Sequence, residues 1–135
     1  MKPIKEVYPD YDEDSYCPSD YNPLLKSFGH EIILQVDESD YQGDSRLLFK
    51  NKDTYGLLIF GWGSCSGCDA LQACDSLDDI DKLRNVLSHQ VKWFDNKEEA
   101  LKYFKEHDWE GDYSWYKEES KEFVEKAIKL LEDSI

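Results

Sequence analysis

Three short apolar runs dominate the first half of the chain. They cover residues 31–36, 45–49 and 55–62, and turn-forming residues bound each of them. Asn51, Lys52 and Asp53 separate the last two runs by a length that suits a hairpin, and such short links favour antiparallel pairing. The pattern predicts a meander of three strands, to which residues 90–95 could add a short fourth.

The second half of the chain carries helix signals. Ser76 stands three residues before Asp79, and Asn96 stands three residues before Glu99, which is the spacing of a capping box. Apolar residues then recur at helical spacing, and a third stripe follows from about Trp115. The three stripes are Ile80, Leu83 and Leu87; Ala100, Leu101 and Phe104; and Tyr116, Phe123, Val124, Ala127, Ile128 and Leu131. We therefore predict about three helices covering one face of the sheet.

The first 28 residues differ from the rest because they contain all four prolines and four of the nine tyrosines. Proline-flanked acidic sequence cannot support a long helix, so this arm is predicted to be irregular. Its tyrosines, with Leu24 and Leu25, supply apolar groups for docking. At 135 residues the chain suits one domain, residues 1–135, with an acidic arm (1–28) docked on an α+β body (29–135).

Three of the four cysteines lie in the segment Gly-Ser-Cys-Ser-Gly-Cys-Asp-Ala-Leu-Gln-Ala-Cys, residues 63–74, directly after the third predicted strand. Cys65 and Cys68 form a C-x2-C pair, and Cys74 is within reach as a third thiolate. A tetrahedral zinc site needs a fourth N or S ligand. Cys17 is favoured, because a site of four thiolates would pin the arm to the sheet, and His89 is the alternative. We expect structural Zn²⁺ here.

Other chemistry for the cysteines remains open. Buried thiols that bind no metal are the plainest alternative. Thioredoxin-like redox chemistry fits the order of strand, C-x2-C and helix, but no proline follows Pro23 to supply the usual facing loop. A nucleophile elbow at Cys65 lacks the alternating strand-helix order that such elbows need. We therefore expect no enzymatic activity.

The charge balance points to a basic partner. Thirty acidic residues against sixteen basic ones give a net charge of −14, which disfavours direct binding to nucleic acid. Residues 10–16 and 106–115 interleave carboxylates with aromatic rings, a mixture that suits a protein interface. The candidate contact residues are Asp10, Asp12, Glu13, Asp14, Trp109, Glu110 and Asp112. Alternatively, the rings pack inward and the acids only face water.

The N-terminus has no apolar segment typical of a signal peptide, and the longest apolar run, residues 57–60, is too short to span a bilayer. We expect a cytoplasmic monomer that binds no membrane. In a reducing compartment the cysteines would persist as thiols.

Residues 55–76, 93–95 and 108–115 resemble a group of small phage-encoded proteins that share the cysteine-rich core. In size, charge and cysteine content the chain is similar to zinc-binding anti-CRISPR proteins directed at type II single-effector nucleases. The resemblance implies an inhibitor that binds a CRISPR-associated nuclease in the host cytoplasm and obstructs its loading with nucleic acid. It implies no individual contact residue. The other interpretations are a small cysteine- or zinc-dependent enzyme and a phage accessory protein with purely structural zinc.

Overall fold

The computed structural model describes residues 2–12, 18, 20–38, 43–63, 69–109 and 118–133. Within these residues the chain forms one four-stranded sheet in which neighbouring strands are antiparallel and follow the order of the sequence. The strands are β1 (Glu31–Asp37), β2 (Gly43–Asn51), β3 (Thr54–Trp62) and β4 (Lys92–Phe94). The predicted meander and its short fourth strand are confirmed, and so is the α+β class.

Helices surround the sheet. They are α1 (Ile4–Val7), α2 (Asn22–Lys26), α3 (Leu77–Gln90), α4 (Lys97–Glu106) and α5 (Glu118–Asp133). The two predicted caps are confirmed, since the Ser76 hydroxyl accepts from the Asp79 amide at 3.1 Å and the Asn96 side chain accepts from the Glu99 amide at 2.8 Å.

The arm is less irregular than predicted, because it contains α1 and α2. Both helices are short and have a proline next to their first residue: Pro3 precedes α1, and Pro23 lies in the first turn of α2. Proline is tolerated there because the first helical amides have no partner within the helix. Tertiary contacts hold both helices, since Ile4, Leu24 and Leu25 are buried.

The helices pack on both faces of the sheet, whereas the sequence predicted one covered face. Leu47, Leu48 and Phe49 are consecutive in β2 and completely buried. Neighbouring side chains of a strand point to opposite faces, so both faces of this strand are covered. Leu47 and Phe49 join a core with α1, α2 and α3, and Leu48 joins a second core with α4 and α5.

An ion pair is buried on the face of the sheet that carries Leu48, because Arg46 lies two residues before Leu48 in β2. Nη1 of Arg46 donates to Oε2 of Glu38 at 2.9 Å, and the two side chains are 1% and 3% exposed. Nη2 of Arg46 lies 3.9 Å from a carboxylate oxygen of Asp44. The pair lies at the end of the sheet where β1 ends and β2 begins.

Among the described residues, no helix has the length and apolar character needed to cross a bilayer.

Candidate functional site

The candidate site lies at the end of the sheet where β3 leads into the cysteine-rich segment. Of the four proposed metal ligands, the structure describes Cys74. Cys17, Cys65 and Cys68 lie outside the described residues. The described residues next to these positions show how the chain is held on either side of them.

Asp69 ties together the two ends of the segment that carries Cys65 and Cys68. Its side chain is buried, Oδ1 accepts from the Gly63 amide at 3.2 Å, and Oδ2 accepts from the Gln72 amide at 3.1 Å. The Gln72 side chain completes the connection by donating to the Gly63 carbonyl at 3.2 Å. These hydrogen bonds hold Gly63, Asp69 and Gln72 together, and these three residues form the base of the cysteine-rich segment.

Tyr21 connects the arm to this base. Its hydroxyl donates to Oδ1 of Asp69 at 2.7 Å and accepts from the Leu71 amide at 3.1 Å. Burial of the ring, followed by the hydrogen bond to Asp69, raises the pKa of Tyr21 above its ordinary value. The phenol is therefore held in its neutral, donating form, and the arm is fixed to the residues that follow the C-x2-C pair.

Cys74 lies in the same core as Tyr21 and Leu71. The side chain is 9% exposed, and its thiol donates to the Ala70 carbonyl at 3.3 Å. A buried thiol beside the closed base is compatible with a metal ligand and also with a small core residue. Pro18, which follows Cys17 in the chain, is buried, and Tyr21, three residues further on, donates to Asp69.

The position of His89 counts against it as the fourth ligand. It lies twelve residues beyond Leu77 in α3, which is about 18 Å along the helix axis. Cys74 is at the other end, where the neighbouring Asp75 amide donates to Asp79 in the first turn. Ligands of one zinc ion lie within roughly 2.5 Å of it. His89 instead donates from Nδ1 to the Asn85 carbonyl at 2.6 Å.

The other two histidines, His30 and His107, pack against aromatic rings. His30 lies 4.7 Å from Trp93 between ring centroids, and His107 lies 4.5 Å from Trp109. Within the described ranges, no three His, Cys, Asp or Glu side chains form a group that could hold a metal ion. Since three of the four predicted ligands fall outside those ranges, zinc binding stays a prediction.

The acidic contact residues have different positions. Asp10 and Asp12 are exposed, and Glu13, Asp14, Glu110 and Asp112 lie outside the described residues. Trp109 is buried: its exposed fraction is 8%, its ring stacks on Phe104 at 5.8 Å, and its Nε1 donates to the Phe104 carbonyl at 2.9 Å. Trp109 therefore belongs to the core, and its ring has little surface left to offer a partner.

An acidic cleft, which the sequence did not reveal, lies between α2 and the sheet next to the base of the cysteine-rich segment. Its volume is about 160 Å³. The lining residues are Asp20, Tyr21, Asn22, Leu25, Gln35, Asp37, Ser45, Trp62 and Gly63. Two carboxylates contribute to this lining, and among its described residues there is no Lys or Arg. No local sequence signal unites Asp20 and Asp37, because the fold alone brings the arm beside β1.

Hydrogen bonds fix the groups that line the cleft. The Gln35 amide donates to Asn22 at 2.9 Å and to an Asp37 carboxylate oxygen at 3.1 Å. The Trp62 indole donates to the buried Ser45 hydroxyl at 2.8 Å, which sets the orientation of the ring. The cleft therefore presents acceptors and an aromatic wall in a defined arrangement.

Comparisons with protein families, with curated proteins and with solved structures found no match to this chain. The charge, the cysteines and the geometry of this end of the sheet are therefore the features that bear on function.

Proposed function

We propose that this chain is a non-enzymatic inhibitor of a host defence nuclease, of the type II single-effector CRISPR class. It would bind the nuclease through carboxylates and obstruct its loading with nucleic acid. The observation that carries the proposal is the cleft lined by Asp20 and Asp37, where two exposed carboxylates meet an aromatic wall. Asp10 and Asp12, also exposed, extend the acidic surface of the arm.

Charge complementarity supports this function. A CRISPR nuclease holds its guide and target in positively charged channels. The chain has a net charge of −14, and both of its arginines are buried: Arg46 is 1% exposed and Arg84 is 5% exposed. All of its described surface cations are therefore lysines, which are outnumbered by carboxylates. Such a surface attracts a basic channel and repels the polyanion that would otherwise occupy it.

The proposal includes one structural Zn²⁺ held by Cys17, Cys65, Cys68 and Cys74. Asp69 closes the base of the segment with Cys65 and Cys68, and Tyr21 brings the arm to that base. A zinc ion bound by all four thiolates would leave no position open for water or substrate, which agrees with a protein that acts by binding. We further propose that the protein acts as a monomer in the host cytoplasm.

Reconstitution with a type II effector nuclease tests the function. The chain is mixed with the nuclease before or after its guide RNA, and guide binding and cleavage of target DNA are measured. We expect the chain to reduce both when it is added first, and to have less effect once the guide is bound. Absence of binding and inhibition across a panel of such nucleases would overturn the proposal.

Charge reversal identifies the contacting surface in the same assay. Asp10→Lys with Asp12→Lys reverses one acidic cluster, and Glu110→Lys with Asp112→Lys reverses the other. Asp53→Lys with Asp95→Lys is the matched control, because these exposed carboxylates lie at the end of the sheet opposite the cleft. Reversal of the contacting cluster should abolish inhibition without changing the melting temperature. Full inhibition by both cluster variants would exclude these two clusters as contacts.

A further inference from the structure

We infer that the cleft between α2 and the sheet receives one arginine side chain of the basic partner. This inference rests on the proposed function for the existence of that partner, and it specifies the chemical group that is recognised. Cys74, the cysteine that the structure describes, is not among the described residues that line the cleft.

The volume of the cleft limits the size of its occupant. Pockets for drug-sized ligands and cofactors measure about 300–1,000 Å³. A cavity of about 150 Å³ holds a molecule the size of benzene. The cleft, at about 160 Å³, therefore admits one side chain and is too small for a nucleotide.

The charges of the residues that line the cleft determine which charge the bound side chain must carry. Asp20 and Asp37 are exposed, and within the described part of the chain no Lys or Arg lies within salt-bridge distance of either carboxylate. Asn22 and Gln35 add neutral amides, and Leu25 adds an apolar group. An anionic group would be repelled here, whereas a cation would meet two carboxylates that pair with no Lys or Arg of the described residues.

The aromatic wall favours arginine over lysine. Trp62 is half-buried, and its bond to Ser45 holds the indole in one orientation. A guanidinium is planar, stacks on aromatic faces and donates several hydrogen bonds in a fixed fork. A lysine ammonium is a compact, strongly hydrated point charge that would gain less from the ring. The combination of a fixed indole with carboxylate acceptors matches the guanidinium.

A titration with short capped peptides tests the inference without any nuclease. The isotope-labelled 135-residue chain is titrated with acetyl-Gly-Arg-Gly-amide, and its NMR signals are followed. The Trp62 indole N–H and the Gln35 side-chain amide report directly on the cleft. Matched peptides carry lysine, or citrulline, which keeps the shape of arginine but has no charge. We expect saturable shifts confined to cleft signals with arginine, weaker shifts with lysine and none with citrulline.

Two substitutions remove the charges while keeping the structure. Asp20 accepts from the Asn22 amide at 3.0 Å and Asp37 accepts from Gln35, and an asparagine oxygen can accept the same bonds. Asp20→Asn with Asp37→Asn should therefore weaken arginine binding about tenfold or more, because the charge-assisted bonds are lost. Asp53→Asn with Asp95→Asn, distant from the cleft, should leave binding unchanged.

The outcomes separate this inference from the proposed function. No shifts in the cleft, equal shifts with citrulline, or shifts spread over all acidic surfaces would overturn the arginine site, whatever the nuclease assay shows. Cleft binding that is lost in the Asp20→Asn, Asp37→Asn variant would establish it, even if no nuclease tested is inhibited. If a nuclease is inhibited, the same variant should bind it at least about tenfold more weakly than the wild type does.

Discussion

Tyr21 and Asp69 are 48 residues apart in the chain, and the Tyr21 hydroxyl lies 2.7 Å from Oδ1 of Asp69. Asp69 also accepts from the amides of Gly63 and Gln72. One buried carboxylate therefore links three parts of the molecule: the N-terminal arm, the end of β3, and the turn that follows the C-x2-C pair. The position of the arm and the closure of the cysteine-rich segment depend on the same group.

Replacing Tyr21 with phenylalanine tests this link. Tyr21→Phe removes the donor to Asp69 and the acceptor of the Leu71 amide, so the variant loses two buried hydrogen bonds. We expect the free energy of unfolding to fall by about 1–3 kcal/mol in urea denaturation. Tyr55→Phe is the matched control, because Tyr55 is also buried but makes no such bond to Asp69. Equal losses in the two variants would contradict the assigned role of the Tyr21 hydroxyl.

The same contact predicts a dependence on alkaline pH. Burial and the bond to Asp69 raise the pKa of Tyr21 above its ordinary 10.0, so the unfolded chain loses the phenolic proton first. The stability contributed by the neutral phenol is complete below pH 10 and declines as the pH rises further. Urea denaturation between about pH 8 and pH 11 should show a steeper loss for the wild type than for Tyr21→Phe. Parallel curves would contradict the raised pKa.

Local signals in the sequence were sufficient for the main helices and strands. Ser76 and Asn96 each cap the helix that follows through a contact with a residue three positions later, so both partners of the contact lie within one short stretch of sequence. α1 and α2 were missed because such short helices are stabilised by burying Ile4, Leu24 and Leu25, and not by intrinsic propensity.

The second covered face of the sheet did have a signal in the sequence. Leu47, Leu48 and Phe49 are consecutive and apolar, a pattern typical of a strand buried on both faces.

The cleft had no such signal in the sequence. Asp20 is in the arm, Asp37 ends β1 and Trp62 ends β3, so only the completed fold brings them together. The cysteine spacing predicted a metal site after β3, which stays a prediction, and it gave no sign of the Asp69 carboxylate that binds the Gly63 and Gln72 amides.

Gly56 permits a close approach between β3 and the edge of the sheet. A Cβ atom at this position would lie 2.6 Å from Cγ1 of Val91 and 2.9 Å from Cζ3 of Trp93. Gly56→Ala should therefore cost about 1–3 kcal/mol of stability, because the neighbouring side chains must move. In Gly61→Ala the nearest atom is the flexible Asp44 carboxylate at 3.2 Å, so this control should be tolerated. Thermal unfolding of both variants measures the difference, and equal melting temperatures would refute it.

The buried ion pair predicts a large effect from a single substitution. Arg46→Met leaves the Glu38 carboxylate, 3% exposed, without its guanidinium partner. Removing one member of a buried pair typically costs about 3–5 kcal/mol, because the remaining charge stays desolvated. Lys126→Met is the control, since it breaks the solvent-exposed pair with Glu122 and should change stability little. Similar unfolding midpoints for the two variants in urea would show that Arg46 does not neutralise Glu38.

Measuring the zinc content of the wild type and of variants at Cys17 and His89 tests whether a zinc ion holds the arm and which residue is its fourth ligand. We expect natively purified protein to contain one zinc per chain, with four thiols that react only after chelation. Chelation should lower the melting temperature substantially, since structural zinc contributes about 10–16 kcal/mol of apparent binding free energy in small sites.

Cys17→Ser and Cys65→Ser should lose the metal. His89→Ala should keep it, because α3 places His89 about 18 Å along its axis from the end near Cys74. Loss of zinc in His89→Ala but not in Cys17→Ser would reverse this ligand assignment. A metal-free protein whose thiols react at once would instead favour a role for the cysteines as thiols, and the hydrogen bonds between Tyr21 and Asp69 would then hold the arm without a metal.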